Sequence, residues 1–457
     1  MSHDRDITHR IVELAVRTRF EDLTPAAVAA ARAFTLDSIG VALSGTRVPL
    51  GAALKETAAT WGTGEAARIW GTGERVPAAS AAFLNSWQIH NQEWDCVHEP
   101  AVVHPMAVVL ATLVAFAEAR GGIDGRRLVS GISVAVDVAT GIGRAARNKL
   151  RFFRPAMCGA LGATAGMANM LGLDATTTRS ALGLGYSQLS GTMQAHIEGS
   201  PVLPMQIGFN ARAALAAIEL AVRGVAGPGD FLEGVHGYFT LIDPEMDPAS
   251  FDGFESSRAL TELSHKPFPS GRATHGGVDG LLTMQARLGF APDELDVAVV
   301  HAPPLVIQLV DRPAVAGMAP AYARLCLPYV AATALLTGDV GVTDFDRPAL
   351  DDPRRLALAS RIRAQRDANP SLNALAPQRV EINLGDGSRH AMDLPAVLGA
   401  PARPLDRERQ LRKFRRAAGS AARPLAPERV EHLIALVDRL ETLPEVRNLV
   451  DALVVAP

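Results

Sequence analysis

Between Asn85 and Pro105 the chain reads NSWQIHNQEWDCVHEPAVVHP, placing three of its twelve histidines, His90, His98 and His104, beside Glu93 and Asp95. Imidazoles next to carboxylates suit two kinds of chemistry. One is proton transfer, with the carboxylate fixing an imidazole tautomer; the other is binding of zinc, iron or manganese. No HExxH register sets two histidines on one helix face, so the metal reading has no motif behind it and no metal is assigned. Pro105 reads as a first helical residue, which makes His104 the N-cap of the next helix. The positive end of a helix disfavours an imidazolium, which biases His104 towards the neutral form that accepts a proton. A histidine that merely caps the helix explains the same local sequence. Glu93 and Asp95 read as orienting partners of the histidines, as a buried acid/base pair, or as solvated loop acids.

A second cluster, SHKPFPSGRATHGG at 264–277, sets His265, Lys266, Arg272 and His275 around two prolines and a glycine. Cations on a stiff loop suit carboxylate binding, although a basic surface loop has the same composition. In RFFRPAMCGALGATAG, Arg154 precedes Pro155 at a helix start, where a guanidinium and free N–H groups would make an anion site; a surface arginine is the alternative. In EGSPVLPMQIGFNARAA, Gly208 and the small residues after it are expected to open a helix. No GxGxxG, Walker A or GxSxG pattern occurs, and no cofactor is expected.

Helices must position these groups. TPAAVAAARAFTLDSIGVALSG starts with Thr24 as N-cap and Pro25 at the first helical position, and similar Ala- and Gly-rich segments recur to about residue 240. Small residues on several faces imply helices buried all round in a multilayer body, and the lack of a fixed period argues against a solenoid. After about residue 260 the texture changes. ELDVAVVHAPP and RVEINLGDGSRHAMDL read as strands, the second folded at Gly385-Asp386-Gly387, with PAYARLCLPYVAATALLTGDV helical between them. The expected fold is therefore mainly α: a large all-helical domain from 1–261 plus 405–457, with a smaller α+β lid domain at 262–404. The charges of RERQLRKFRR are expected on a solvated helix face.

With 457 residues, 48% of them hydrophobic, the chain can bury a large core. A net charge of -3 gives no general attraction for nucleic acid or an acidic membrane surface, so small molecules or protein are the expected partners. The N-terminal MSHDRDITHRIVELAVRTRF lacks the apolar centre of a signal peptide, and MAVVLATLVAFAEA is too short to span a bilayer. Cys96, Cys158 and Cys326 are far apart with no CxxC pattern, which fits a reducing, cytoplasmic setting.

In this order, LDSIGVALSG, the N…H…EWD…HP block, GALGATAGMANMLGLD, ALGLGYSQLSG, GPGDFLEGVHGYF, KPFPSGRATH, LPYVAATALLTGDV and the late LRKF make the chain resemble the MmgE/PrpD family, which includes 2-methylcitrate dehydratase, cis-aconitate decarboxylase and iminodisuccinate epimerase. The resemblance covers almost the whole chain. It implies a helical domain built from both chain ends, a lid domain, a homodimer, and an active site at the domain junction. There a polycarboxylate would be held by cations while a proton moves at carbon next to a carboxylate. His104 matches the family's HP histidine, Glu93 the first acid of its DFDD block, Lys266 and His275 its KPYPSC…H segment, and Tyr329 a tyrosine lining the site.

This sequence also departs from the pattern. Arg154 replaces the histidine of FHP, Leu203 falls where a lysine is expected, Gln206 replaces a histidine, and DFDDTH reads Glu93-Trp94-Asp95-Cys96-Val97-His98. The resemblance thus implies a cofactor-independent lyase. His104 and His275 would transfer protons, Lys266, Arg272 and Arg154 would clamp carboxylates, and Tyr329 would donate a hydrogen bond. Glu93 and Asp95 would orient the histidines, or one of them would act as acid, and His98 and Gln206 would complete the substrate contacts. Dehydration of the 2-methylcitrate type leads on family frequency alone. Decarboxylation or epimerisation at the same site are alternatives, and a noncatalytic carboxylate-binding homologue is the reading from another class.

Overall fold

A computed structural model of the protein describes residues 7–254 and 259–454. After α1 (Ile7–Arg17), the Thr24 hydroxyl accepts from the Ala27 N–H and Pro25 occupies the first turn of α2 (Pro25–Gly45), a pairing that satisfies one free helix-start donor and needs no N–H from proline. α3 (Leu50–Ala59) and a short antiparallel pair, β1 (Ala67–Arg68) with β2 (Arg75–Val76), lead into α4 (Ala78–His90). Then come α5 (Pro105–Arg120), α6 (Gly125–Ala145), α7 (Arg154–Leu171), α8 (Ala175–Tyr186), the short α9 (Gln194–Glu198) and α10 (Val202–Ala221). α5 is the centre of this body, buried from Pro105 through Glu118.

Small residues let the helices touch backbone to backbone. A Cβ on Gly162 of α7 would lie 2.3 Å from the Ala135 carbonyl oxygen of α6. Gly208 does not open its helix, as the sequence suggested. α10 begins upstream at Val202, and Gly208 lies where a Cβ would come within 2.6 Å of the Phe83 carbonyl oxygen of α4. The glycine serves close helix packing, which produces the same local composition as a helix start. α2 and α6 are long and apolar enough to cross a membrane by length and composition, but 72% and 94% of their apolar windows are buried in the body.

The later part of the chain carries a four-stranded sheet in the order β4-β3-β5-β6. β3 (Leu295–Ala302) runs parallel to β4 (Ile362–Arg366) and antiparallel to β5 (Gln378–Leu384), which pairs with β6 (Arg389–Leu394) across the Gly385-Asp386-Gly387 turn. β4, in RIRAQR, was not legible in the sequence. It is an edge strand with mostly unburied side chains, so it lacks the apolar signature of a buried strand. The segment read as one helix from Pro320 is two, Pro320–Ala323 and Leu327–Thr337, with Pro328 in the first turn of the second.

A late helix, Arg407–Gly419, returns to the body against α2. Its charges are not all solvated. Lys413 is buried, with Nζ 2.6 Å from Asp37 Oδ1, and it donates to the Trp94 carbonyl at 2.9 Å. The tail therefore braces the loop that holds Glu93 and Asp95. Lys413→Ala would strand the Asp37 carboxylate, an expected loss of about 3–5 kcal/mol in chemical denaturation; a loss below about 1 kcal/mol would contradict the brace.

Candidate active site

The loop from Asn91 to His104 leaves α4 and returns to α5. Its turn is closed by hydrogen bonds between His98 and Val103, and reciprocal bonds of 3.1 and 2.8 Å between Val97 and Ser264 stitch it to the second cationic loop. The two clusters read from the sequence are thus one structure. Glu93 and Val102 both have φ of 53°, a left-handed conformation costly for residues with side chains and especially for a β-branched one. Such outliers persist where surrounding contacts fix them, often at functional sites.

Asp95 is fully buried and organises the histidines. Its carboxylate lies 3.0 and 3.1 Å from His90 Nδ1 and 3.2 Å from His104 Nδ1, and the two rings meet edge to face at 4.9 Å. Burial alone would raise the Asp95 carboxyl, but His90 and His104 hold it well below the usual range. An ionised carboxylate only accepts, so both Nδ1 atoms carry protons and each neutral ring keeps its lone pair on Nε2. Burial lowers His104, Lys266 lowers it further, and Asp95 only partly offsets this, so the ring is neutral near pH 7. In His90 burial opposes the charge, but Asp95 and then Glu93 outweigh it and its pKa is raised.

The donor atoms of His90, Asp95 and His104 come within 4.8 Å of one another, close enough to hold an ion. In the structure, however, they satisfy one another as a hydrogen-bonded triad. His104 is the N-terminal cap residue of α5 but makes no side-chain cap bond. Its Nδ1 turns to Asp95, so the capping alternative does not describe it.

Lys266 is fully buried. Its ammonium donates to Glu93 Oε2 at 2.8 Å and to the Glu93 carbonyl at 3.0 Å, holding the unusual backbone and the side chain together. Burial would raise the Glu93 carboxyl, but Lys266 first, then His90 and His104, hold it down at about 2.

Glu93 and His104 border a cavity of about 70 Å³ between the α7, α9 and α10 starts and the segments around Gly271, Val310 and Leu325. It has room for several water-sized groups. Arg154, His196 and Arg272 also border it, and the other side chains of the wall are apolar, including Leu203, Leu309 and Leu325.

The other expected site residues fall elsewhere or are already engaged. Arg154 lines the cavity, but its guanidinium donates to the Asn148 carbonyl at 3.0 Å and Asn373 Oδ1 at 3.3 Å, with Asp243 at 3.7 Å. Arg272 pairs with Glu99 at 2.8 Å and donates to the Leu398 and Val397 carbonyls. Both act as internal braces instead of open clamps. His275 is buried, with Nε2 at Ser270 and Nδ1 unpartnered, and burial followed by Arg272 and Lys266 keeps it neutral; it does not border the cavity. Tyr329 donates to the Asp344 carbonyl at 2.5 Å, Gln206 holds Thr192, and His98 pairs with Glu262 at 3.0 Å. None of these three borders the cavity.

Sequence reasoning missed His196 and Arg324, and named His90 only among the histidines that Glu93 and Asp95 could orient or that could hold a metal. His196 borders the cavity with Nε2 unpartnered, and burial, then Arg312, lower its pKa to about 4. Arg324 is buried over the Phe345 ring at 4.6 Å, close enough to feel Glu93, with Nε unpartnered. Arg324 was signalled only as a lone charged residue in an apolar segment, and His196, in the mixed stretch GTMQAHIEGS, carried no local signal.

These shifts set an acid limit on stability. His196 and His265 have folded pKa values of about 4, burial being the first cause of each. The unfolded chain takes up protons below about 6.5, so stability falls as pH drops from there towards 4. His90 has the opposite sign: its contribution is present below about 6.5 and lost as pH rises through its folded value. Glu93 adds stability above about 4.5 that is lost as pH falls towards 2. Melting temperature measured against pH should therefore decline below pH 6.5 and steepen below 4.5; a flat profile from 6.5 to 4 would contradict the neutral buried histidines.

Comparison with known proteins follows the same chain order. Residues 9–249 match the MmgE/PrpD N-terminal domain and residues 268–441 the MmgE/PrpD C-terminal domain. The chain is 26% identical to cis-aconitate decarboxylase of Mus musculus, covering 96% of this chain and 91% of that protein. It is 28% identical to the Homo sapiens enzyme of the same name over 81% and 78%, and 24% identical to that of Aspergillus terreus over 99% and 97%.

Proposed function

Because this chain belongs to the MmgE/PrpD family and is a lyase, we propose that it decarboxylates an unsaturated carboxylate and delivers a proton to carbon next to a remaining carboxylate. The observation that carries this reading is His104, oriented by Asp95 and facing a cavity whose walls are mostly apolar. Dehydration, placed first by family frequency, must expel hydroxide and needs an acid at the leaving oxygen as well as a base at carbon. Decarboxylation releases neutral CO2. Apolar walls solvate a localised carboxylate poorly and a dispersed carbanion less poorly, which favours that step. Relatives named for decarboxylation support the same order.

In the free enzyme His104 is neutral. A substrate carboxylate beside it raises its proton affinity, so the imidazolium forms with substrate bound. The bond from carbon to the departing carboxyl breaks, and its electron pair passes through the adjacent double bond towards the remaining carboxylate. His104 Nε2–H then protonates the carbon next to the remaining carboxylate and becomes neutral again. Asp95 keeps the Nδ1 proton in place throughout, and the Lys266–Glu93 pair fixes the loop.

The test is proton NMR of the purified protein in D2O with cis-aconitate, 2-methylcitrate and iminodisuccinate, with CO2 trapped. CO2 release with one deuterium at a carbon next to a carboxylate is expected. Water loss from 2-methylcitrate without CO2 from the unsaturated acid would replace this reading with dehydration, and exchange at constant skeleton would replace it with epimerisation.

A further inference from the structure

We propose that the acid this cavity takes bears a short alkyl arm in place of one carboxylate, making it an alkyl-substituted unsaturated dicarboxylate instead of a tricarboxylate. The proposal rests on the decarboxylase reading for the reaction but not for the ligand. Three carboxylates brought into a buried site need cations or donors to replace their water, and here Lys266, Arg272 and Arg154 are committed, which leaves the His104 imidazolium, formed with substrate bound, to meet one of them. Lys266 holds Glu93, Arg272 holds Glu99, and Arg154 is tied to Asn148, Asn373 and Asp243. Arg324, whose Nε is unpartnered, does not line the cavity.

A second donor, on His196, faces the ligand. Arg312 Nη2 lies 3.4 Å from His196 Nδ1 and can only donate, so Nδ1 accepts and the ring proton sits on Nε2. That Nε2 is buried, unpartnered, and belongs to a cavity-lining residue. It suits one carboxylate oxygen. Leu203, Leu309, Leu325, Met193, Val97 and Phe153 also line the cavity and give it apolar surface that would receive an alkyl group. Leu203 stands where the family resemblance places a lysine, and here it adds to the apolar surface. The cavity of about 70 Å³ limits the arm to a few carbons.

A 3-alkylglutaconate, cis-aconitate with an alkyl group in place of its central carboxylate, fits this description. Cleavage of its C4–carboxyl bond releases CO2, the electron pair forms a C3–C4 double bond and moves the original one towards C2, and a proton from His104 at C2 gives a 3-alkylbut-3-enoate. His196 would hold the carboxylate that remains.

Calorimetric titration of the full chain with cis-aconitate, 3-methylglutaconate and 3-propylglutaconate, alongside measured CO2 release, tests the idea. An alkylglutaconate is expected to bind about tenfold more tightly than cis-aconitate, and Leu203→Lys should reverse the preference. Should that buried substitution prevent folding, Leu309→Lys at the half-buried part of the wall is expected to act in the same direction. Tighter binding of cis-aconitate, no binding of either alkyl acid, or an unchanged preference in a folded lysine variant would overturn the proposal. Tight binding of an alkyl acid with no CO2 from any substrate would instead overturn the decarboxylase reading and leave the ligand class standing.

Discussion

His104→Gln is expected to lower kcat by roughly 10²–10⁴-fold, the usual range for losing a positioned proton-transfer group, with little change in melting temperature. Glutamine can donate to Asp95 but cannot carry a proton between solvent and carbon. The side chain is 13% exposed at the edge of a cavity, so its loss removes little packing. Deuterium incorporation at carbon should fall with turnover, because both require the same proton. Asp95→Asn separates orientation from chemistry. The amide can offer N–H where an Nδ1–H must be accepted, which favours the other tautomer and turns the Nε2 lone pair into a donor. Turnover should fall while the ring stays in place. If His104→Gln turned over at the wild-type rate, the proton would have to come from elsewhere in the cavity, and His196 would be the next residue to replace.

Residue type was legible in the sequence, whereas commitment to partners was not. The Thr24 cap, the turn at Gly385-Asp386-Gly387 and the His104-Pro105 helix start are local features, set by residues a few positions apart, and each appears in the structure as read. The pairing of Asp95 with two histidines was also within reach, since all three lie in one short stretch. Arg272 and Arg154 show the limit. Their side-chain acceptors, Glu99 and Asn373, lie 173 and 219 positions away, and the nearer acceptor of Arg154 is a backbone carbonyl, which residue type does not reveal. Tyr329 and Gln206 were carried over from a family pattern, and in this chain their hydrogen bonds go to the backbone at Asp344 and Thr192. Leu203 was read only as a missing charge. Its meaning as part of an apolar wall depends on Leu309 and Leu325, more than a hundred positions later, and on the fold that brings them to the same cavity.

Lys266→Met should be the most destabilising change at the site, costing about 3–5 kcal/mol because it leaves the buried Glu93 carboxylate without its cation. The pH dependence identifies the cause. In the parent protein Glu93 sits at about 2, so it contributes stability above about 4.5 that is lost as pH falls. Without Lys266 burial becomes the dominant influence and pushes the folded carboxyl above its unfolded value. The sign then reverses: the variant gains relative stability on acidification, and that gain is lost as pH rises through the raised folded value. Adding Glu93→Gln should recover most of the stability, since neither buried charge then lacks a partner. It should not recover turnover. Lys266 does not border the cavity, so its effect on the reaction must pass through the Glu93 loop and through His104, whose proton affinity it lowers. Turnover of both variants is expected to fall roughly 10²-fold, with the limb of the pH–rate profile that reports His104 moved to higher pH. A variant that lost stability but kept that limb in place would make Lys266 a brace for the Glu93 loop alone, with no part in setting the proton affinity of His104.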